Sequence, residues 1–321
     1  MGMSAFFDYN MATAIDQLSY WKMAHFDFNT SLHRRYRFVI PMLAAGVNWL
    51  IQKPAQLIHP NWLAGDFSMR LSFYLVNLTI ASFWCALIYR YCKAYGLTRL
   101  GALFGLLAVA TSRWTMMNVG TPHTDILFCL AVICALYGIK TNSHLYLMLA
   151  IIIGPFSKES FLFTAPVLFF SYMPQWKTAL YLLLAGAAVF ITRYLIDQTS
   201  GNALTDSLAQ DTDLLRFIPL QFTRLKTFSY WLELYTTFGL WWVLIILQKR
   251  KLKHMPETMA YLKQPYVLVF LATSAFQIAL NGEFARMMYM LMPVYAIMVG
   301  FAAERLYGWY LQDKSNQGMK P

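Results

Sequence analysis

Two charged residues stand side by side where an apolar chain breaks. Lys158 and Glu159 lie in Gly154-Pro155-Phe156-Ser157-Lys158-Glu159-Ser160, between the apolar runs 145–153 and 161–170. A charge at bilayer depth costs at least about 3 kcal/mol and survives where it faces a cavity or a partner. Gly and Pro interrupt the helix beside it, and broken backbone at that depth needs the same cover. The stretch reads either as the mouth of an active site or as a solvated loop between two short spans. Similar chemistry recurs in three places: His123 and Asp125 in Gly120-Thr121-Pro122-His123-Thr124-Asp125, Glu283 and Arg286 in Asn281-Gly282-Glu283-Phe284-Ala285-Arg286, and Arg34, Arg35 and Arg37, with Asp8 upstream. Carboxylates of this kind accept a proton or hold a divalent metal. Arg and Lys suit phosphate or pyrophosphate. Each element also has a plainer reading: Asp125 as a helix cap, Glu283 with Arg286 as a snorkelling pair, the arginine cluster as interfacial anchors, His123 as structural.

The elements that must position these residues are membrane helices. Of 321 residues 58% are hydrophobic and only 13% charged, against about 25% charged in soluble domains. The apolar runs are continuous rather than alternating, which excludes a β-barrel. The sequence predicts an all-α polytopic membrane protein with about nine transmembrane helices, near 71–91, 100–117, 124–140, 144–155, 157–173, 177–196, 229–247, 264–281 and 287–307. The apolar run 38–51 contains Pro41, Gly46 and Asn48 and is shorter than the roughly 20 residues a span requires, so it is expected as an interfacial helix. Residues 1–311 are read as one integral membrane domain, with 1–70 an extracytoplasmic loop carrying that surface helix and 71–311 the bundle. Residues 312–321 are expected to be a disordered cytoplasmic tail. The four cysteines, Cys85, Cys92, Cys129 and Cys134, lie in or beside apolar runs without metal-ligand spacing and read as small core hydrophobes.

The net charge of +11 is spread over span ends, apart from Lys249, Arg250, Lys251 and Lys253. That pattern fits membrane topology and anionic lipid, not nucleic acid. With 249–253 cytoplasmic, Lys93, Arg99, Lys140, Lys177, Lys263, Arg305 and Lys314 also fall inside. The segments holding Asp125, Lys158, Glu159, Glu283 and Arg286 fall outside. If 38–51 stays on the surface, Asp8 and Arg37 join them outside, and a first span must precede residue 1 to carry them there. If 38–51 crosses, the arginine cluster lies inside instead. Residues 1–28 lack the basic start and apolar core of a signal peptide.

The ordered pattern Phe7-Asp8-Tyr9, Arg37-Phe38-Val39-Ile40-Pro41-Met42-Leu43-Ala44, Thr121-Pro122-His123-Thr124-Asp125, Ser157-Lys158-Glu159-Ser160 and Pro166 resembles bacterial GT-C-type glycosyltransferases. These are multi-pass enzymes using polyprenyl-phosphate-linked sugars. The likeness covers about residues 7–170 and, more loosely, the C-terminal spans with Glu283-Phe284-Ala285-Arg286. It implies a first span ahead of Asp8 and an extracytoplasmic loop with surface helices. It also implies that Asp8 acts as base toward an acceptor hydroxyl. The chain departs from the family's acidic pair, since Tyr9-Asn10 follows Asp8.

The expected activity is therefore sugar transfer from a polyprenyl-phosphate donor to a glycan, lipid or protein acceptor on the outer face of a bacterial inner membrane. Asp8 is the catalytic residue, and Arg37, His123, Asp125, Lys158, Glu159, Glu283 and Arg286 are substrate-binding. A divalent metal is left open as a cofactor. The competing expectations are a non-catalytic or N-terminally truncated membrane protein, and a transporter. A transporter would place its ionisable groups near the midplane rather than at one end of the spans.

Overall fold

The protein is described from a computed structural model covering residues 15–30, 32–58, 67–200, 219, 223–252, 256–280 and 284–316. Among these residues it is all-helical, without a strand. Asp8 and Glu283 lie outside them.

Three helices lead in: α1 (Ile15–Ala24), α2 (Leu32–Arg35) and α3 (Val39–Ile58). The surface helix expected at 38–51 runs on to Ile58, through Lys53 and Pro54, which its exposed side accommodates. Its other side buries Ile40 and Ala44 against α4 (Phe67–Ala94), the central helix of the bundle. Around α4 pack α5 (Arg99–Ala110), α6 (Arg113–Gly120) and α7 (Asp125–Thr141), with α8 (His144–Ser157) hairpinned onto α7. The hairpin turns on Asn142, left-handed at φ 53°, while Ser143 N donates to the Gly138 carbonyl at 3.0 Å. Asn tolerates this conformation better than branched or bulky residues, and such bonds close a helix end.

The chain continues through α9 (Phe161–Thr164) and a 3-10 turn, Ala165–Phe170, to α10 (Gln175–Ser200). It then passes α11 (Phe228–Phe238), α12 (Trp242–Leu252), α13 (Pro256–Leu262), α14 (Pro265–Ala279) and α15 (Phe284–Met288), and ends in α16 (Met292–Asn316). α5 and α16 touch through backbone. A Cβ on Gly105 would come 2.6 Å from the Ala296 carbonyl oxygen, and one on Gly300 would come 2.9 Å from that of Gly101. Small residues permit such approach in membranes, where lipid offers no hydrophobic drive between helices.

Four helical stretches are long and apolar enough to cross a membrane: 67–94, 175–198, 228–248 and 286–314. A fifth forms if α5 and α6, bent by 60°, make one span. Helix occupies part or most of each of the nine expected positions, but the stretches at 144–157, 161–170 and 265–279 are short, and 125–141 has 17 residues. Each falls below the roughly 20 residues that match a 30 Å hydrocarbon core. The chain is a helical membrane protein on this ground. Where a disordered tail was expected from 312, α16 continues to Asn316, and the Lys314 ammonium lies 5.1 Å from the Tyr310 ring centroid. A cation in the last turn also suits the negative end of the helix.

Candidate functional site

Two ion clusters form at one end of the bundle. Asp125 opens α7. Its Oδ1 accepts from Lys158 Nζ at 3.1 Å and its Oδ2 accepts from Arg286 Nε. The three side chains are only 5–8% exposed. Thr124, not Asp125, occupies the N-cap position and makes no side-chain cap bond. Asp125 is therefore more than a cap, and buried Arg286 does not snorkel.

The second cluster centres on Glu159, in the turn that joins α8 to α9. One carboxylate oxygen accepts from Arg37 Nη2 at 3.3 Å and Nε at 3.4 Å, the other from Arg193 Nη2 at 3.2 Å. Arg37 also donates to the Tyr20 hydroxyl at 3.4 Å. Burial alone would raise the Glu159 pKa, but Arg37 and Arg193 outweigh it and hold the carboxyl below its usual value. It is therefore ionised at neutral pH. The break comes from the sequence beside it: Pro155 sits inside α8, and Gly154 leaves room for the Phe161 ring where any side chain would overlap it.

A third contact ties the lead-in segment to α10. Arg35 Nη1 donates to Asp197 Oδ1 at 2.8 Å, and the Tyr36 hydroxyl donates to Asp197 Oδ2 at 2.6 Å. The Arg193 guanidinium lies 4.5 Å from the Tyr36 ring centroid, within cation–π range. Burial, then the Asp197 carboxylate, pushes the Tyr36 phenol up to about 12, so it keeps its proton as a donor.

The described site thus brings together Arg37, His123, Asp125, Lys158, Glu159 and Arg286. It adds residues that the sequence did not single out: Gln17, Tyr20, Tyr36, Asn77 and Arg193. Gln17 Nε2 donates to His123 Nε2 at 2.7 Å, which makes that nitrogen the acceptor. Asn77, fully buried on α4, donates to the carbonyls of Thr121 at 3.1 Å and His123 at 3.2 Å. It thereby fixes the irregular entry to α7. A lone Asn in the charge-free run 71–89 was the available signal. Asn77→Leu strips both carbonyls of their donor, with an expected loss of about 2 kcal/mol. It should read as a lower melting temperature of the detergent-purified protein, and an unchanged melting temperature would contradict the role.

Four cations (Arg37, Lys158, Arg193, Arg286) surround two carboxylates (Asp125, Glu159). Among the described residues the cluster carries a surplus of two positive charges. An apolar cavity of about 470 Å³ leads away from it between the α8–α9 break and α10. Pro155, Phe161, Leu162, Phe169, Leu182 and Val189 contribute its walls, and Glu159 with Arg193 its polar end. Among the described residues no three His, Cys, Asp or Glu converge as metal ligands. Both carboxylates already face two cations each, a donor set that does not suit a divalent ion. The cysteines are free thiols, three buried and one half-buried. Comparison with protein-family models, with curated proteins and with solved structures found no match.

Proposed function

We propose that the chain is a membrane glycosyltransferase that moves a sugar from a polyprenyl-phosphate donor to an extracytoplasmic acceptor. The observation that carries this reading is the cationic surplus at the end of an apolar cavity. One end of that site suits a phosphate and the other a hydrocarbon tail. The resemblance in the order of the short motifs supports the sugar donor.

In the proposed reaction the acceptor hydroxyl attacks the anomeric carbon of the sugar. The bond from that carbon to the phosphate oxygen breaks, and the electron pair leaves with the lipid phosphate. Asp8 takes the hydroxyl proton. Arg37, Lys158 and Arg286 stabilise the departing phosphate, because donors aimed at developing charge usually supply the largest catalytic term. Asp125 holds Lys158 and Arg286 in place, Glu159 holds Arg37 and Arg193, and His123 and Glu283 orient sugar or acceptor. The acceptor is a glycan, lipid or protein, and the site faces outward from a bacterial inner membrane.

A non-catalytic lipid-phosphate binder is the second reading. It is favoured by one observation: each carboxylate of the described cluster is engaged by two cations. Transfer of labelled sugar from a polyprenyl-phosphate donor, by membranes carrying the full chain, separates the two. Asp8→Asn and Arg37→Ala should each lower the rate by about 10²–10³-fold. Full transfer by Asp8→Asn removes the base assignment. No transfer by the wild-type chain, with donor still bound, favours the binder.

A further inference from the structure

Glu159 differs from Asp125 in ways that suggest a different job. The Asp125 triad is closed, at 5–8% exposure, whereas exposure rises through Arg37 (16%), Arg193 (26%) and Glu159 (31%) toward the cavity mouth. All Glu159 contacts to the two arginines are 3.2–3.4 Å, longer than the 2.7–2.9 Å typical of charge-assisted bonds. Glu159 sits in a turn, where a few backbone torsions can swing it away. The arginines have other anchors: Arg193 is stacked on Tyr36 and Arg37 bonds Tyr20. Arg193 Nε is buried and takes no acceptor among the described residues.

We propose that the Arg37–Arg193 guanidinium pair is the headgroup site for the lipid phosphate, and that Glu159 is a resident stand-in which the phosphate displaces. This rests on the lipid-phosphate reading above. Two guanidiniums straddling one carboxylate have the geometry that receives two oxygens of a phosphate, and Arg193 Nε supplies a further donor. The adjoining cavity takes the first part of the tail. Glu159 keeps the cations paired while the site is empty. It competes with the ligand rather than binding sugar, so its removal strengthens lipid binding.

Binding of dodecyl phosphate to the full chain, purified in uncharged detergent, tests this by calorimetry, with inorganic phosphate as the second probe. Glu159→Gln and Glu159→Ala should each bind dodecyl phosphate about tenfold more tightly than wild type, since tenfold corresponds to about 1.4 kcal/mol, the scale of one charged hydrogen bond. Arg193→Gln should bind it at least about tenfold more weakly. Inorganic phosphate should bind Glu159→Gln about 100-fold more weakly than dodecyl phosphate, as buried methylenes each add affinity. Equal affinity for the two probes overturns the assignment to a lipid. Weaker or unchanged binding by both Glu159 variants, with wild type still binding, overturns displacement alone. No binding by any form overturns displacement together with the phosphate reading.

Discussion

Asp125→Asn destabilises the folded protein strongly. The carboxylate lies between Lys158 and Arg286, all three side chains nearly closed to solvent. Asn keeps the shape and loses the charge, so two cations stay buried with no anion between them. Breaking a buried pair in this way costs about 3–5 kcal/mol, against a total stability of about 5–15 kcal/mol. The expected result is a melting temperature of the detergent-purified protein well below that of wild type, still measurable. Adding Lys158→Met should recover part of the loss, because one unpaired cation then goes with the carboxylate. The pair should couple strongly in a double-mutant cycle. Asp125→Asn melting with wild type would show that the triad contributes little. The recovered variant separates stability from chemistry: it lacks two of the site's charges, so its sugar transfer should stay low while its melting temperature rises.

The parts of this arrangement that could be read in the sequence are those with local causes. Continuous apolar runs placed the helices, and Gly154 with Pro155 placed the break beside Lys158 and Glu159. The sequence could not show which charge meets which, because the partners lie far apart along the chain: Arg37 from Glu159, Asp125 from Arg286, Arg35 from Asp197. Arg193 was hidden at the end of a run that otherwise reads as span, and Asp197 falls just past the expected span 177–196. Their i, i+4 spacing puts both on one side of the last turns of α10, and that was the signal to use. Of the nine expected spans, four among the described residues are long and apolar enough to cross, and a fifth if α5 and α6 make one. Apolar composition marks a helix as buried, but it does not distinguish a crossing from a shorter helix that other helices cover.

The second large effect concerns α10. No residue in the apolar window of this helix is buried within the protein, although it contacts α8 and the 3-10 turn. Lipid competes well for such a surface, so apolar contact gives α10 little reason to stay. The polar latch at its C-terminal end supplies one: Asp197 with Arg35 and Tyr36, and Arg193 with Glu159 and the Tyr36 ring. Arg35 and Asp197 are each 4% exposed. Asp197→Leu leaves the Arg35 charge buried and the Tyr36 hydroxyl without its acceptor, a loss of about 3–5 kcal/mol. Hydrogen exchange across the last turns of α10 should then quicken at least about tenfold, while α4 and α7 exchange as before. Uniform acceleration would mean that the latch supports the whole fold; no acceleration would mean that apolar contact suffices. Arg35→Met combined with Asp197→Leu discriminates further. It removes both buried charges and should regain stability, yet Tyr36 still lacks its anchor, so Arg193 loses the ring that positions it. Melting temperature should recover while binding of alkyl phosphate stays weak, which would assign the latch to placing Arg193 at the cavity mouth as well as to holding the helix.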